Sequence, residues 1–227
     1  MSGGPTFGDT PTSDFTFSGQ GRVVMPFGRT HSFGVQTQGE FLGYHQRYEG
    51  EFDGGLLNRW RWLQGGVFAS FKAAEFGPLS DTGMLGQAAF TLDILPKDRF
   101  RINVFGSKGF HDDTTIMRVV DQFGGGAQVG LAPFAPKTYV EGNIVLLHQP
   151  EPLGDRPGAM VRVSHQLFDR LALTAEFTLN ESLVGPTNNG RVMFGFVFGR
   201  WPRPQDLSNR GTPLGTDVPR VRFVLTR

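Results

Sequence analysis

The stretch RLALTAEFTLNE, residues 170–181, decides the fold. Leu171, Leu173, Ala175, Phe177 and Leu179 fall on one face of an extended chain, and Ala172, Thr174, Glu176, Thr178 and Asn180 fall on the other. That is a period of two, the signature of a β-strand with one apolar and one polar face. A helix would scatter these residues around its circumference.

The same period recurs along the chain. Phe33, Val35, Thr37, Gly39 and Phe41 oppose Ser32, Gln36, Gln38 and Glu40. Tyr48, Phe52 and Leu56 alternate with Arg47, Glu49, Glu51 and Asp53, and Val192, Phe194, Phe196 and Phe198 form one face of 191–199. Extending the pattern predicts twelve strands, at 14–25, 31–42, 46–57, 61–72, 84–95, 98–108, 115–131, 137–148, 157–167, 170–181, 190–200 and 218–226. Turn residues separate them, at 26–29, 58–59, 96–98, 150–152, 168–170 and 187–190. Residues 201–219, rich in Pro, Gly and Asp, read as one long loop. The predicted organisation is an N-terminal extension over 1–13 followed by a single β domain over 14–227.

Many of these strands have ten to twelve residues, longer than the usual five or six of globular sheets. A tilted strand needs about 9–11 residues to cross a bilayer. Charge placement agrees. The polar face carries Arg22, Glu40, Arg47, Glu49, Glu51, Asp53, Lys72, Asp93, Arg99, Arg101, Glu141, Arg162, Glu176, Arg191, Arg220 and Arg222. Within the strand cores the apolar face carries one charge, Asp121, which a β-bulge near 124–126 could re-aim. The expected architecture is therefore a closed antiparallel transmembrane β-barrel of about 12 strands, with those sixteen charged residues lining its lumen. Their mixed signs favour ion pairs across the interior over a field of one sign, with Glu49, Glu51 and Asp53 set against Arg22, Arg220 or Arg222.

A soluble β-sandwich predicts the same alternation. Against it stand strand length, strand number and the glycines on the apolar face (Gly19, Gly21, Gly39, Gly50, Gly54, Gly65, Gly86 and Gly142). A dry core fills such sites with bulk, whereas lipid chains conform to a notched surface. Trp60, Trp62, Tyr44, Tyr139 and Trp201 lie near strand ends, where interfacial aromatics anchor barrels.

Composition narrows the function. Among 227 residues the net charge is +1 and no cysteine occurs, which excludes a strongly basic nucleic-acid binder, disulfides and thiolate chemistry. No run approaches the 18 apolar residues of a membrane helix. Residues 1–14 have neither the basic nor the apolar segment of a signal peptide, so an exported form would have its signal outside the numbered chain. The histidines His31, His45, His111, His148 and His165 make no metal-ligand spacing. Only His111-Asp112-Asp113 could hold a cation, and an exposed turn explains it more simply. Ser164 and His165 project to opposite faces of one strand and cannot act on each other. The run FGGGAQVG at 123–130 opens no helix and does not cradle phosphate. No catalytic residue, metal site or cofactor is expected, and the chain is read as a non-enzyme.

The segments QGEFLGYHQRYEGEFDGGLLNRW (38–60), LQGGVFASFK (63–72) and LGQAAFTLD (85–93) resemble bacterial outer-membrane barrels. The tail NESLVGPTNNGRVMFGFVFGRWPRP (180–204) with TDVPRVRFVLTR (216–227) is similar to the end of barrels that anchor or translocate surface proteins, the twelve-stranded inverse autotransporters nearest among them. That resemblance implies a bacterial outer-membrane location, lipid contact and a passive channel or translocator-type pore. The alternative it implies is a structural surface anchor with a plugged lumen and an envelope or surface-protein partner. Two departures stand out. The chain ends Leu225-Thr226-Arg227, where such barrels end in an aromatic residue. The short connections also fall where the first strand would start outside the cell, so either a strand is missing upstream or the long connections face inward.

Overall fold

A computed structural model of the chain is a closed barrel of twelve antiparallel strands. It describes residues 1–8, 15–28, 32–44, 47–76, 81–97, 100–112, 117–149, 153–168, 170–180, 189–198 and 215–225. In chain order the strands are β1 (Ser2–Gly8), β2 (Phe15–Phe27), β3 (Phe33–Tyr44), β4 (Arg47–Trp60), β5 (Leu63–Phe76), β6 (Asp81–Lys97), β7 (Phe100–Asp112), β8 (Met117–Val119), β9 (Asp121–Gly130), β10 (Thr138–His148), β11 (Arg156–Phe168), β12 (Leu171–Leu179), β13 (Asn189–Phe198) and β14 (Phe223–Leu225). The wall runs β1, β13, β12, β11, β10, β9, β7, β6, β5, β4, β3, β2 and returns to β1; β8 and β14 pair separately.

Alternation fixes the register, because a one-residue slip would send every side chain to the wrong face. On β12, Phe177 stands opposite Val161 and Val192, and its neighbour Glu176 stands opposite Arg162 and Met193. Phe177 is 47% exposed on the outer surface, while Glu176 turns inward to Arg162. No second sheet covers the outside of the described wall, so the β-sandwich alternative is excluded. A Cβ built on Gly19, Gly21, Gly39, Gly50 or Gly142 meets nothing within 4 Å, as the notched outer surface requires. Gly86 departs from that reading, because the ring of Phe110 lies across it.

The structure corrects the closure of the barrel. Residues 2–8, read as part of an N-terminal extension, form a wall strand between β13 and β2. Gly4 permits its close approach to β13, where a Cβ would collide with the Val192 carbonyl. Of residues 218–226, read as the twelfth wall strand, the described 218–225 are not in the wall, so Arg220 and Arg222 belong to a segment inside the lumen. The predicted strand 115–131 is two elements, with β8 leaving the wall to pair with β14. The register through Gly124–Gly126 is unbroken on both sides, so no bulge re-aims Asp121. Its carboxylate instead accepts a hydrogen bond from Gly109 N at 2.9 Å.

The extra strand also resolves the direction of the chain. With β1 in the wall, Met1 lies at the same end as the connections 61–62, 98–99 and 169–170, each of two residues. The connections that follow β7, β10 and β12 are at the opposite end, with the two-residue connection between β3 and β4, and the longer connection 131–137 is at the Met1 end. One stretch of wall is thin. β2 has 13 residues, but β1 meets only Phe15–Ser18 of it. Among the described residues, no strand lies against the β1-side edge from Gly19 to Phe27.

Candidate functional site

Inward side chains and the segment 215–225 together make the site. The wall contributes an ionic lattice. Lys72 Nζ lies 2.9 Å from Glu49 Oε2 and 3.2 Å from Glu51 Oε2, all three buried. Asp93 accepts from Arg101 Nε at 3.0 Å and Nη2 at 2.8 Å, from Asn103 at 2.9 Å and from Gln64 at 3.1 Å. Arg162 Nε donates to Glu176 at 2.7 Å, and its Nη1 lies 3.6 Å from Glu141. Asp53 accepts from Gln38 at 3.2 Å, and Arg191 Nε donates to Thr178 Oγ1 at 3.1 Å. The expected pairing of opposite signs is present. The partner of Glu49 and Glu51 within the wall is Lys72, however, and not an arginine. Such buried pairs hold because each lone pair and proton meets a partner; removing one partner would strand a buried charge.

The segment 215–225 threads this lattice. Gln36 and Thr216 make a two-point clamp, Nε2 donating to the Thr216 carbonyl at 2.8 Å and Thr216 N donating to Oε1 at 3.0 Å. Arg101 Nη2 donates to Thr216 Oγ1 at 3.0 Å. Arg22 forms an ion pair with Asp217. Gln87 Nε2 donates to the Pro219 carbonyl, and Gln122 Nε2 to the Arg220 carbonyl at 2.7 Å. Arg220 pairs with Glu40, its Nε at 2.7 Å from Oε2. Val221 N donates to both carboxylate oxygens of Glu51, at 3.0 and 3.2 Å. Arg222 donates to Gln122 Oε1, and its carbonyl accepts from Val120 N at 2.8 Å. β14 then pairs antiparallel with β8.

Apolar sockets seat the same segment. Val218 packs with Leu57, Phe68 and Ala89; Val221 and Phe223 with Ala74, Leu85 and Met117; Val224 with Phe105, Val120, Val145 and Leu147. Burying each such side chain contributes about 1.5–3 kcal/mol. Lys72 Nζ also lies 5.9 Å from the centre of the Phe223 ring. A void of about 100 Å³ remains beside the segment, bordered by Arg101, Asn103, Glu141, Arg162 and Asp217.

Of the sixteen expected lumen residues, Arg99 lies outside the described residues, and Arg47 begins β4 with its side chain outside them. Arg22, Glu40, Glu49, Glu51, Asp53, Lys72, Asp93, Arg101, Glu141, Arg162, Glu176 and Arg191 are on the inner face, in the contacts above. Sequence reasoning missed Gln36, Gln87 and Gln122, and it missed the apolar sockets. A signal for the sockets was present. In Ile144-Val145-Leu146-Leu147 both faces are apolar, and Leu56-Leu57 repeats this; an inner face lined only by water would not be.

Outside the lumen, Trp60 and Trp62 are exposed at 65% and 51% near the Met1 end of the wall. Tyr139 is buried and gives no anchor there; the Tyr44 side chain and Trp201 lie outside the described residues. Ser164 points inward and His165 outward, where its Nδ1 is 2.9 Å from Thr138 Oγ1. His31, His45 and Asp113 fall outside the described residues; Asp112 accepts from Val119 N at 2.8 Å, and His148 Nδ1 lies 2.7 Å from Asp155. No group of His, Asp and Glu among the described residues is placed to hold a metal ion.

No family model matches the chain, and no curated protein matches it. Solved structures do match its shape. The Salmonella typhi outer membrane phospholipase dimer with bound calcium superimposes with a TM-score of 0.57 at 12% identity, over 88% of this chain and 90% of that one. The Escherichia coli outer membrane phospholipase A gives 0.55 at 11% over 88% and 89%. The KdgM porin gives 0.54 at 6% over 88% and 98%. At these identities the likeness is one of fold: a closed twelve-stranded barrel of the outer-membrane kind.

Proposed function

We propose that this chain is an outer-membrane pore of the translocator or anchor type, occupied along its length by its own C-terminal segment. The observation that carries this reading is the course of 215–225. Thr216 sits beside Gln36 and Arg101, near the Met1 end of the barrel, and Leu225 pairs with Met117 at the other end. At about 3.3 Å per residue, ten extended residues reach about 30 Å, the depth of a bilayer's hydrocarbon core. Short turns normally face the periplasm, which puts Met1 there and aims the segment outward. The exposed apolar belt, with Val67, Phe90, Phe123, Ile144 and Phe194, fits lipid contact. The likeness to a porin and to outer-membrane phospholipases supports the location through the fold alone.

The segment is engaged by the wall through main chain and side chains along its course, so the seated segment makes a closed pore, and a chain continuing beyond it would be held at the surface.

The absence of cysteine makes the test direct. A cysteine appended after Arg227 should react in intact cells with a membrane-impermeant maleimide, whereas Arg61→Cys in the short turn should react only after the outer membrane is opened. The reverse pattern overturns the proposed orientation and the translocator reading with it.

A further inference from the structure

We infer that the lumen is a binding site for extended polypeptide, recognised through its main chain as well as through its side chains. The inference rests on the occupied-pore reading and names the ligand class of that site.

Three glutamines from three separate wall strands, Gln36 on β3, Gln87 on β6 and Gln122 on β9, are buried and turn their carboxamides onto main-chain groups of the segment. A carboxamide carries the same donor and acceptor as a peptide group. Gln36 therefore engages Thr216 as a neighbouring β-strand would, giving one hydrogen bond and taking one. Glu51 adds an acceptor for Val221 N, Val120 N a donor for the Arg222 carbonyl, and β8 a ladder for Phe223–Leu225. All of these contacts are blind to side-chain identity. They combine strand addition at β8 with side-chain surrogates for a strand elsewhere. Side chains are engaged as well: Arg101 takes Thr216, Arg22 takes Asp217, Glu40 takes Arg220, Gln122 takes Arg222, and apolar sockets take Val218, Val221, Phe223 and Val224. Sugars or ions would need none of the main-chain set. A peptide carrying a basic residue three positions before an aromatic one would use all of it.

The test starts from the full chain. A protease site inserted between Ser208 and Asn209 is cut after folding in detergent, and retained heat-modifiable migration verifies the wall. A fluorescein-labelled peptide of residues 215–227 is then added in excess, and anisotropy follows its capture. The native peptide should exchange into the lumen. N-methylation at the Val221 position, which removes the proton given to Glu51, should weaken capture at least about tenfold, because a buried charged acceptor loses its donor. N-methylation at Val218, whose amide makes no described wall contact, should change it less than about threefold. Equal weakening by both overturns main-chain recognition, and failure to retain the native peptide overturns the peptide site. Neither result depends on membrane orientation, which the labelling experiment in cells decides separately.

Discussion

At the scale of single residues, position within the alternation sets the consequence of a substitution. Phe177 faces outward at 47% exposure, and Thr174 faces inward on the same strand. Phe177→Arg should destabilise the folded barrel in lipid by about 2–4 kcal/mol if the site lies near the midplane, and Thr174→Arg by clearly less; urea titrations of heat-modifiable migration measure both. Thr178 is a poorer inward control, since Arg191 already bonds its hydroxyl. Lys72 presents the opposite case. Its ammonium separates Glu49 from Glu51 in a buried site. Lys72→Met should cost about 3–5 kcal/mol by leaving two carboxylates without their cation, and Lys72→Met with Glu49→Gln should recover part of it in the same titration.

At the scale of elements, most strands were legible because lipid outside and polar atoms inside impose a period of two on every crossing. Three elements were not. β1, reading SGGPTFG, has too few apolar side chains to show a face; it is a strand because β13 and β2 leave a gap for it. β8 and β14 are three residues each, too short for periodicity to register. The partial cover of β2 has a dynamic consequence. Amides between Gly19 and Phe27 that point away from β3 meet no strand among the described residues, so they should exchange with deuterium faster than amides of β5, which is paired along its length on both sides. Equal protection of the two strands in exchange mass spectrometry would show that this edge is covered in solution.

At the scale of the whole molecule, the lumen segment turns an open cylinder into a filled one, and its seat should govern conductance. Arg220→Glu sets a carboxylate against Glu40, breaking a pair whose carboxylate is buried and whose guanidinium is partly buried; stranding the buried partner of such a pair costs up to about 3–5 kcal/mol. Planar-bilayer recordings should show few openings for the native protein, frequent openings for Arg220→Glu, and a return to quiet when Glu40→Arg restores the pair with reversed signs. High salt should mimic the single variant only weakly, because buried pairs are poorly screened. Openings unchanged across all three proteins would separate the segment from the control of the pore.

The sequence by itself determined the strand period and the outward and inward faces of the wall strands, because each follows from neighbours along one strand and from the solvent on either side. It also carried, unread, the doubly apolar runs at 56–57 and 144–147 that mark the sockets. What only the tertiary structure decided is which terminal segment closes the wall and which fills the lumen. Residues 2–8 and 223–225 are both short strands. The choice between them depends on partners far along the chain, Val192 for Gly4 and Glu40, Glu51 and Gln122 for residues 220–222. No local pattern records such partners, since hydrogen bonds made by an extended backbone look the same in sequence whether the partner is a wall strand or a ring of glutamines.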